Sequence, residues 1–132
     1  MKYILDTHVI LWYLSEDPKL STTAKGIVDA RNDLYFSIIS LWEISIKVNI
    51  GKLQINRPIE ALPIELQYMN IQLLPITIRD IEIYSSLPFP NSPIKHQDPF
   101  DRILIAQGIN HSFHLVSRDT AFDAYPISRI WD

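Results

Sequence analysis

Five acidic side chains, Asp6, Glu43, Asp98, Asp101 and Asp119, stand at or near the points where strands are expected to end and helices to begin. Asp98 and Asp101 lie three residues apart in His96-Gln97-Asp98-Pro99-Phe100-Asp101-Arg102, and Asp119 closes Ser117-Arg118-Asp119 behind the following apolar run. If the chain brings these acids to one place, it builds a cage for a hard divalent cation. Mg²⁺ or Mn²⁺ prefers oxygen ligands in octahedral geometry and keeps several waters, so a few carboxylates plus a substrate phosphate suit it. One such ion activates a water, and a second about 4 Å away stabilises the leaving oxygen of an in-line displacement at phosphorus. Phosphodiester hydrolysis is the natural chemistry of the set.

Each acid also has a purely structural reading. Asp6, Asp98 and Asp119 are good helix N-caps, Asp101 is favoured in a first helical turn by the helix dipole, and Ser40-x-x-Glu43 has the form of a capping box. Taken singly, capping outweighs catalysis for each. Taken together the balance reverses, because four acids sharing one sheet edge repel strongly unless a cation joins them.

The elements that must position them follow from periodicity. Residues 2 to 5 read as a short buried strand, with Asp6 at the corner into an apolar helix, Val9 to Leu14. Ser15-Glu16-Asp17-Pro18 breaks that helix and Ser21 caps another, from Thr22 to Arg31. Leu34 to Ile38 is a second strand. Ser40-Leu41-Trp42-Glu43 opens a helix closed by Gly51, whose apolar residues cover more than one face and predict that it is largely buried. Pro58 starts a helix through Met69, loosened by Pro63; Ile71 to Leu74 is a third strand, and Thr77 caps a helix of about nine residues. Pro88, Pro90 and Pro93 keep the next segment extended as a surface loop. A helix from Pro99 to Ile109, a strand Phe113 to Val116, a short turn after Asp119 and a last strand, Ser128 to Trp131, complete the chain. Strands alternating with helices, several too apolar to alternate in and out, predict an α/β fold with a mostly parallel five-stranded sheet covered on both faces. In such sheets ligands bind beyond the carboxyl ends of the strands, where these acids fall.

Composition narrows the rest. The 132 residues, 47% hydrophobic, fit one domain, residues 1–132, able to bury about two-thirds of its unfolded surface. There is no cysteine, so any metal must take oxygen or imidazole, and a reducing cytoplasm suits the chain. No run approaches the roughly 20 apolar residues of a membrane span, and Asp6 and His8 interrupt the one stretch that starts like a signal peptide. The net charge of −3 looks unfavourable for a polyanionic partner, but setting the five acids aside leaves ten against twelve bases, a net +2. A polyanionic substrate is allowed, though not demanded.

These segments carry a resemblance. Leu5-Asp6-Thr7-His8, then Ser40-Leu41-Trp42-Glu43-Ile44 with Lys47 and Gly51-Lys52-Leu53, then Asp98-Pro99-Phe100-Asp101-Arg102, then Ser117-Arg118-Asp119 resemble PIN-domain proteins, in particular the VapC-type toxins of bacterial toxin-antitoxin systems. The resemblance runs from end to end and implies a three-layer α/β/α domain with Mg²⁺- or Mn²⁺-dependent endoribonuclease activity, an RNA substrate, inhibition by a cognate antitoxin, and a homodimer. By motif, Asp6, Glu43, Asp101 and Asp119 correspond to the family's acidic quartet. Asp98 matches an acid of the subgroup that adds to the metal set. Asp6, Asp101 and Asp119 are then expected to contact metal directly or through water, and Glu43 to bind metal or orient the attacking water. Thr7 and Ser117 are expected to hydrogen-bond those carboxylates.

The remaining polar and aromatic residues have two readings each. His96 contacts phosphate or leaving group, or is a solvated loop side chain. Arg102 and Arg118 hold RNA phosphate, or simply neutralise neighbouring carboxylates. His8, His111 and His114 show no ligand spacing. Trp12, Trp42 and Trp131 are expected in the core rather than as stacking platforms. The helices over 58–69 and 78–87 serve an interface or the core equally well. Two other functions compete with a nuclease. A phosphoacceptor signalling domain would show an acidic pair after the first strand and an aspartate after the third; Asp6 stands alone and Leu74-Pro75-Ile76-Thr77 holds no acid. A non-catalytic binding module would keep the acids as caps.

Overall fold

Short apolar runs rich in β-branched and aromatic residues make the strands: β1 (Tyr3–Leu5), β2 (Leu34–Ser37), β3 (Ile71–Leu74), β4 (His114–Val116) and β5 (Ser128–Ile130). In this computed structural model, which describes residues 1–31, 33–89 and 98–132, they form one sheet in the order β3-β2-β1-β4-β5. All four pairings are parallel; Tyr3 is in register with Leu34 on one side and His114 on the other. The helices are α1 (Thr7–Leu14), α2 (Thr22–Ala30), α3 (Ile38–Asn49), α4 (Ala61–Tyr68), α5 (Ile78–Ser86) and α6 (Pro99–His111), with a 3₁₀ turn at Thr120–Ala124.

Successive strand residues point to opposite faces, and the two faces carry separate cores. Leu5, Phe36, Ile71 and Val116 pack with Val9, Ile10, Val28, Ile44 and Leu62 from α1 to α4. Ile4, Leu74 and Leu115 pack with Leu104 and Ile105 from α6, Phe122 from the 3₁₀ turn and Tyr125 just after it. The result is the expected α/β/α sandwich. Ile4 and Leu115, fully buried at the centre of the sheet, each contribute on the order of 2–5 kcal/mol against truncation to alanine.

The chain leaves β1 towards β2 and β3 on one side, then crosses back to β4 and β5 on the other. The reversal falls between β1 and β4, where diverging connections open a crevice at the carboxyl ends of the strands. The backbone N–H of Asp6 donates to the carbonyl of Val116 (3.0 Å), so Asp6 and the start of Ser117-Arg118-Asp119 are held side by side at that point.

Three expectations need correction. The Ser40-x-x-Glu43 capping box does not form: α3 begins at Ile38, Ser37 Oγ accepts from Ile39 N (3.1 Å), and Ser40 is already inside the helix with its hydroxyl buried. The cap lies at the first point where the chain leaves the strand, three residues earlier than the box. Nor is α3 largely buried. It packs through Ser40 and Ile44, while Ile38, Trp42 (58% exposed), Val48 and Ile50 face outwards, because one helix meets its neighbours along one stripe however apolar the rest is. Finally, α4 begins at Ala61 rather than Pro58, which puts Pro63 in its first turn, where the missing N–H has no intrahelical partner to lose and nothing is loosened. A reciprocal capping box does exist, at Thr77 and Asp80 on α5.

Candidate active site

Asp6 arrives at the crevice because β1 ends there. Its side chain caps α1 by accepting from Thr7 N (2.8 Å), and its other oxygen accepts from Ser117 Oγ (2.7 Å). Ser117 Oγ also accepts from Asp119 N (3.0 Å), so one buried hydroxyl links the ends of β1 and β4. Asp119 in turn caps the 3₁₀ turn through Ala121 N (2.9 Å). Glu43 comes from the second turn of α3; Thr7 Oγ1 donates to its Oε1 (2.8 Å) and Lys47 Nζ lies 3.4 Å from its Oε2. Asp98 caps α6 by accepting from Phe100 N (2.9 Å), and Asp101 sits in the first turn of that helix.

These side chains line a single open cleft of about 460 Å³: Asp6, Glu43, Asp98, Asp101 and Asp119, with His8, Val9, Trp12, Lys47, Arg118 and Thr120. The acids come from the β1–α1 corner, α3, α6 and the β4 exit. Capping and convergence therefore coexist: Asp6, Asp98 and Asp119 are caps, and they still share a wall. Thr7 and Ser117 make the hydrogen bonds to carboxylates expected of them. A larger groove, about 1200 Å³, opens beside the amino ends of β2 and β3, but its lining holds a single carboxylate, Asp33. Size alone does not mark the chemistry here.

Burial pushes the Asp6 carboxyl above its ordinary value, and the charge of Glu43 pushes the same way. The hydrogen bonds from Ser117 and Thr7 N and the proximity of His8 only partly offset this. An aspartate that is costly to ionise beside other acids has strong reason to take a cation. Among the described residues no three Asp, Glu or His side chains are already arranged to hold an ion. The donor set nevertheless fits a hard divalent cation in kind: oxygen only, multiply anionic, and opposed among the described lining residues by Lys47 and Arg118.

Arg102 overturns its expectation. It is 3% exposed and absent from the cleft lining, its guanidinium donating to the carbonyls of Leu87 (2.6 Å) and Pro88 (3.3 Å) and to the Tyr125 hydroxyl (3.0 Å), with the Phe89 ring 4.1 Å away. Buried donors must be satisfied, and these acceptors are not among the residues lining the cleft, so Arg102 is not available to RNA phosphate. Arg118, exposed at the cleft, remains available. His96 lies outside the described residues. The sequence reading missed His8, Trp12 and Lys47 in the lining and Arg129, whose Nη1 donates to the Ser117 carbonyl (3.1 Å) while Asp123 holds its other nitrogens. The pairs His8/Trp12 and Glu43/Lys47, spaced four apart on helices that carry an acid of the set, were the available signal.

A chain with this parallel sheet, this reversal point and this acid-lined cleft belongs to the PIN domain family, which its sequence matches over residues 3–127. It is 26% identical over 116 residues to Ribonuclease VapC22 of Mycobacterium tuberculosis, covering 88% of this chain and 85% of that protein. Solved structures share the fold. VapBC2 from Rickettsia felis, bound to a DNA fragment from their promoter, superposes with a TM-score of 0.71 at 18% identity over the whole of both chains. FitAcB from Neisseria gonorrhoeae gives 0.68 at 21% identity, covering 97% of this chain and 96% of that one. A toxin-antitoxin complex from Klebsiella pneumoniae gives 0.64 at 19%, covering 98% and 96%.

Proposed function

We propose that this PIN-domain protein is a divalent-metal-dependent endoribonuclease, acting in the cytoplasm as the toxin of a toxin-antitoxin pair. The observation that carries the reading is the convergence of Asp6, Glu43, Asp98, Asp101 and Asp119 from separate elements on one cleft. The similarity to a protein named as a ribonuclease, and to structures of toxin-antitoxin complexes, supports it.

Asp6, Asp101 and Asp119 would hold Mg²⁺ or Mn²⁺, Glu43 would bind metal or orient the attacking water, and Asp98 completes the acidic wall. When bound there, such an ion would supply activation of a water and neutralisation of charge at the phosphate. Ser117 fixes the Asp6 carboxylate by donating to Oδ2, and Thr7 fixes Glu43 by donating to Oε1. Lys47 limits the swing of Glu43. Arg118 attracts the phosphate backbone that the acids would otherwise repel. Aliphatic and aromatic side chains left open on α3, α4 and α5, among them Trp42, Tyr68 and Ile78, give an antitoxin or a second copy apolar surface to cover.

Purified protein should cut RNA with Mg²⁺ or Mn²⁺, stop when EDTA is added, and be inactive as Asp101→Asn. Mapping cut sites in total RNA after induction of wild type and Asp101→Asn side by side should give sites in the first sample alone. Cleavage that survives both EDTA and Asp101→Asn would end the reading.

A further inference from the structure

Trp12 does not behave as the core residue its apolar setting suggests. Asp6 caps α1, and Trp12 follows six residues later on the same helix, about 9 Å along the axis. Its indole lines the acidic cleft. The ring is braced from one side by Trp131, edge-on at 6.0 Å and 62°. Trp131 is itself tied down, its carbonyl accepting from Ser21 Oγ. On the cleft side His8 sits 5.4 Å from the indole, one helical turn nearer Asp6. Two cations lie over the ring, Arg118 Cζ 5.8 Å and Lys19 Nζ 5.9 Å from its centroid.

We propose that Trp12 is a nucleobase-stacking platform of the cleft, taking the base of an RNA nucleotide next to the one whose phosphate the carboxylates hold, with Lys19 and Arg118 receiving the flanking phosphates. The identity of the ligand as RNA rests on the reading of the cleft as a ribonuclease site; the platform itself rests on the indole. A stacking surface must be flat, partly open, and held rigidly, so that no side-chain freedom is lost when a base arrives. Trp12 meets all three conditions: it lines the cleft, it is half-buried, and Trp131 fixes its tilt. The cations now lying over the ring would give way to a stacked base and turn to the polyanionic backbone leading into and out of it. The contact with Trp131 accounts for one side of the indole but not for its place in the lining of the cleft. No other described aromatic residue lines this pocket besides His8 and Trp12.

The test is an abasic scan. A short oligoribonucleotide carrying one cut site, and a series of the same oligomer with a single base removed at each position, are titrated against wild type, Trp12→Leu and Trp12→Phe by fluorescence anisotropy, with Ca²⁺ replacing Mg²⁺ and the RNA checked for intactness. For wild type, base removal at one position beside the cut site should weaken binding about 5- to 100-fold. Trp12→Leu should weaken the intact oligomer by a similar factor and lose sensitivity to that position alone, whereas Trp12→Phe, which keeps an aromatic ring against Trp131, should retain part of it. Lys19→Ala should weaken every oligomer alike. Abasic profiles that stay parallel among the three proteins, or a wild type indifferent to every base, would overturn the platform. Cleavage by the same wild-type sample in Mg²⁺ is scored separately: position-specific coupling without cleavage refutes the nuclease reading and keeps the platform, and cleavage without coupling does the reverse.

Discussion

Asp6 and Asp80 are both aspartates at the start of a helix, both accept a backbone N–H, and they have opposite electrostatics. At Asp80, fully buried on α5, burial works against ionisation, but Thr77 N (2.9 Å), Asn110 Nδ2 (2.8 Å), the Thr77 side chain and the nearby His111 outweigh it and hold the carboxyl below its ordinary value. At Asp6 burial prevails, with Glu43 adding repulsion, and the carboxyl is held above its ordinary value. Asp80 is a finished structural joint between α5 and α6. Asp6 is left short of positive charge on the wall of an open cleft, which costs the apoprotein stability and suits it to a cation. The lesson is that a carboxylate's role here is set by how many partners close around it rather than by its position at a helix start.

Exchanging each carboxylate for its neutral isostere gives the sharpest test of that contrast. Asp6→Asn should reduce RNA cleavage by about 100-fold or more, since losing a carboxylate of the cleft costs at least as much as losing a residue that orients one. The same change should raise the melting temperature of the metal-free protein, because a poorly compensated charge is removed. Cleavage within a few-fold of wild type would break the comparison. Ser117→Ala and Thr7→Val, which keep every acid but free Asp6 or Glu43 to turn, should each cost about 10- to 100-fold in cleavage, with the loss reduced at high metal concentration. Asp80→Asn should do the opposite of Asp6→Asn, leaving cleavage nearly unchanged while destabilising the fold by about 1–3 kcal/mol, as the Asn110 amide loses its charged acceptor. Calorimetry or urea unfolding reads this directly.

The smallest effect is the pH dependence of metal-free stability. A carboxyl held low in the folded state stabilises above its ordinary value and loses that contribution as pH falls through the lowered value, so the gap between wild type and Asp80→Asn should close in acid. A carboxyl held high carries no penalty below its ordinary value and acquires one as pH rises through the raised value, so the advantage of Asp6→Asn should open from acid towards neutrality. Melting curves between about pH 3 and 7 distinguish the two. Parallel curves for both variants would erase the distinction between a satisfied carboxylate and an under-compensated one.

Much of this was legible in the linear chain because the signals are local. Short apolar runs bounded by Asp, Ser and Pro located all five strands, and the spacing of the acids pointed to a common edge. What went astray depended on neighbours distant in sequence. Arg102 follows Asp101 directly, yet consecutive helical residues point about 100° apart. Asp101 therefore reaches the cleft, while Arg102 reaches the carbonyls of Leu87 and Pro88 outside it. Trp42 is as apolar as any core residue, and it is exposed because nothing from α1 or α6 covers that stripe of α3 beyond an edge contact with Phe100 at 5.5 Å.

The sequence by itself determined which residues cap, which runs become strands, and which carboxylates could form a set, since hydrogen-bonding capacity and periodicity belong to the residues and their spacing. Only the tertiary structure decided which carboxylates are satisfied and which are left wanting charge, because partners such as Ser117 for Asp6 and Asn110 for Asp80 come from 111 and 30 residues away. Solvation and mutual repulsion act through space, and the sheet's reversal between β1 and β4 is what brings that space into being.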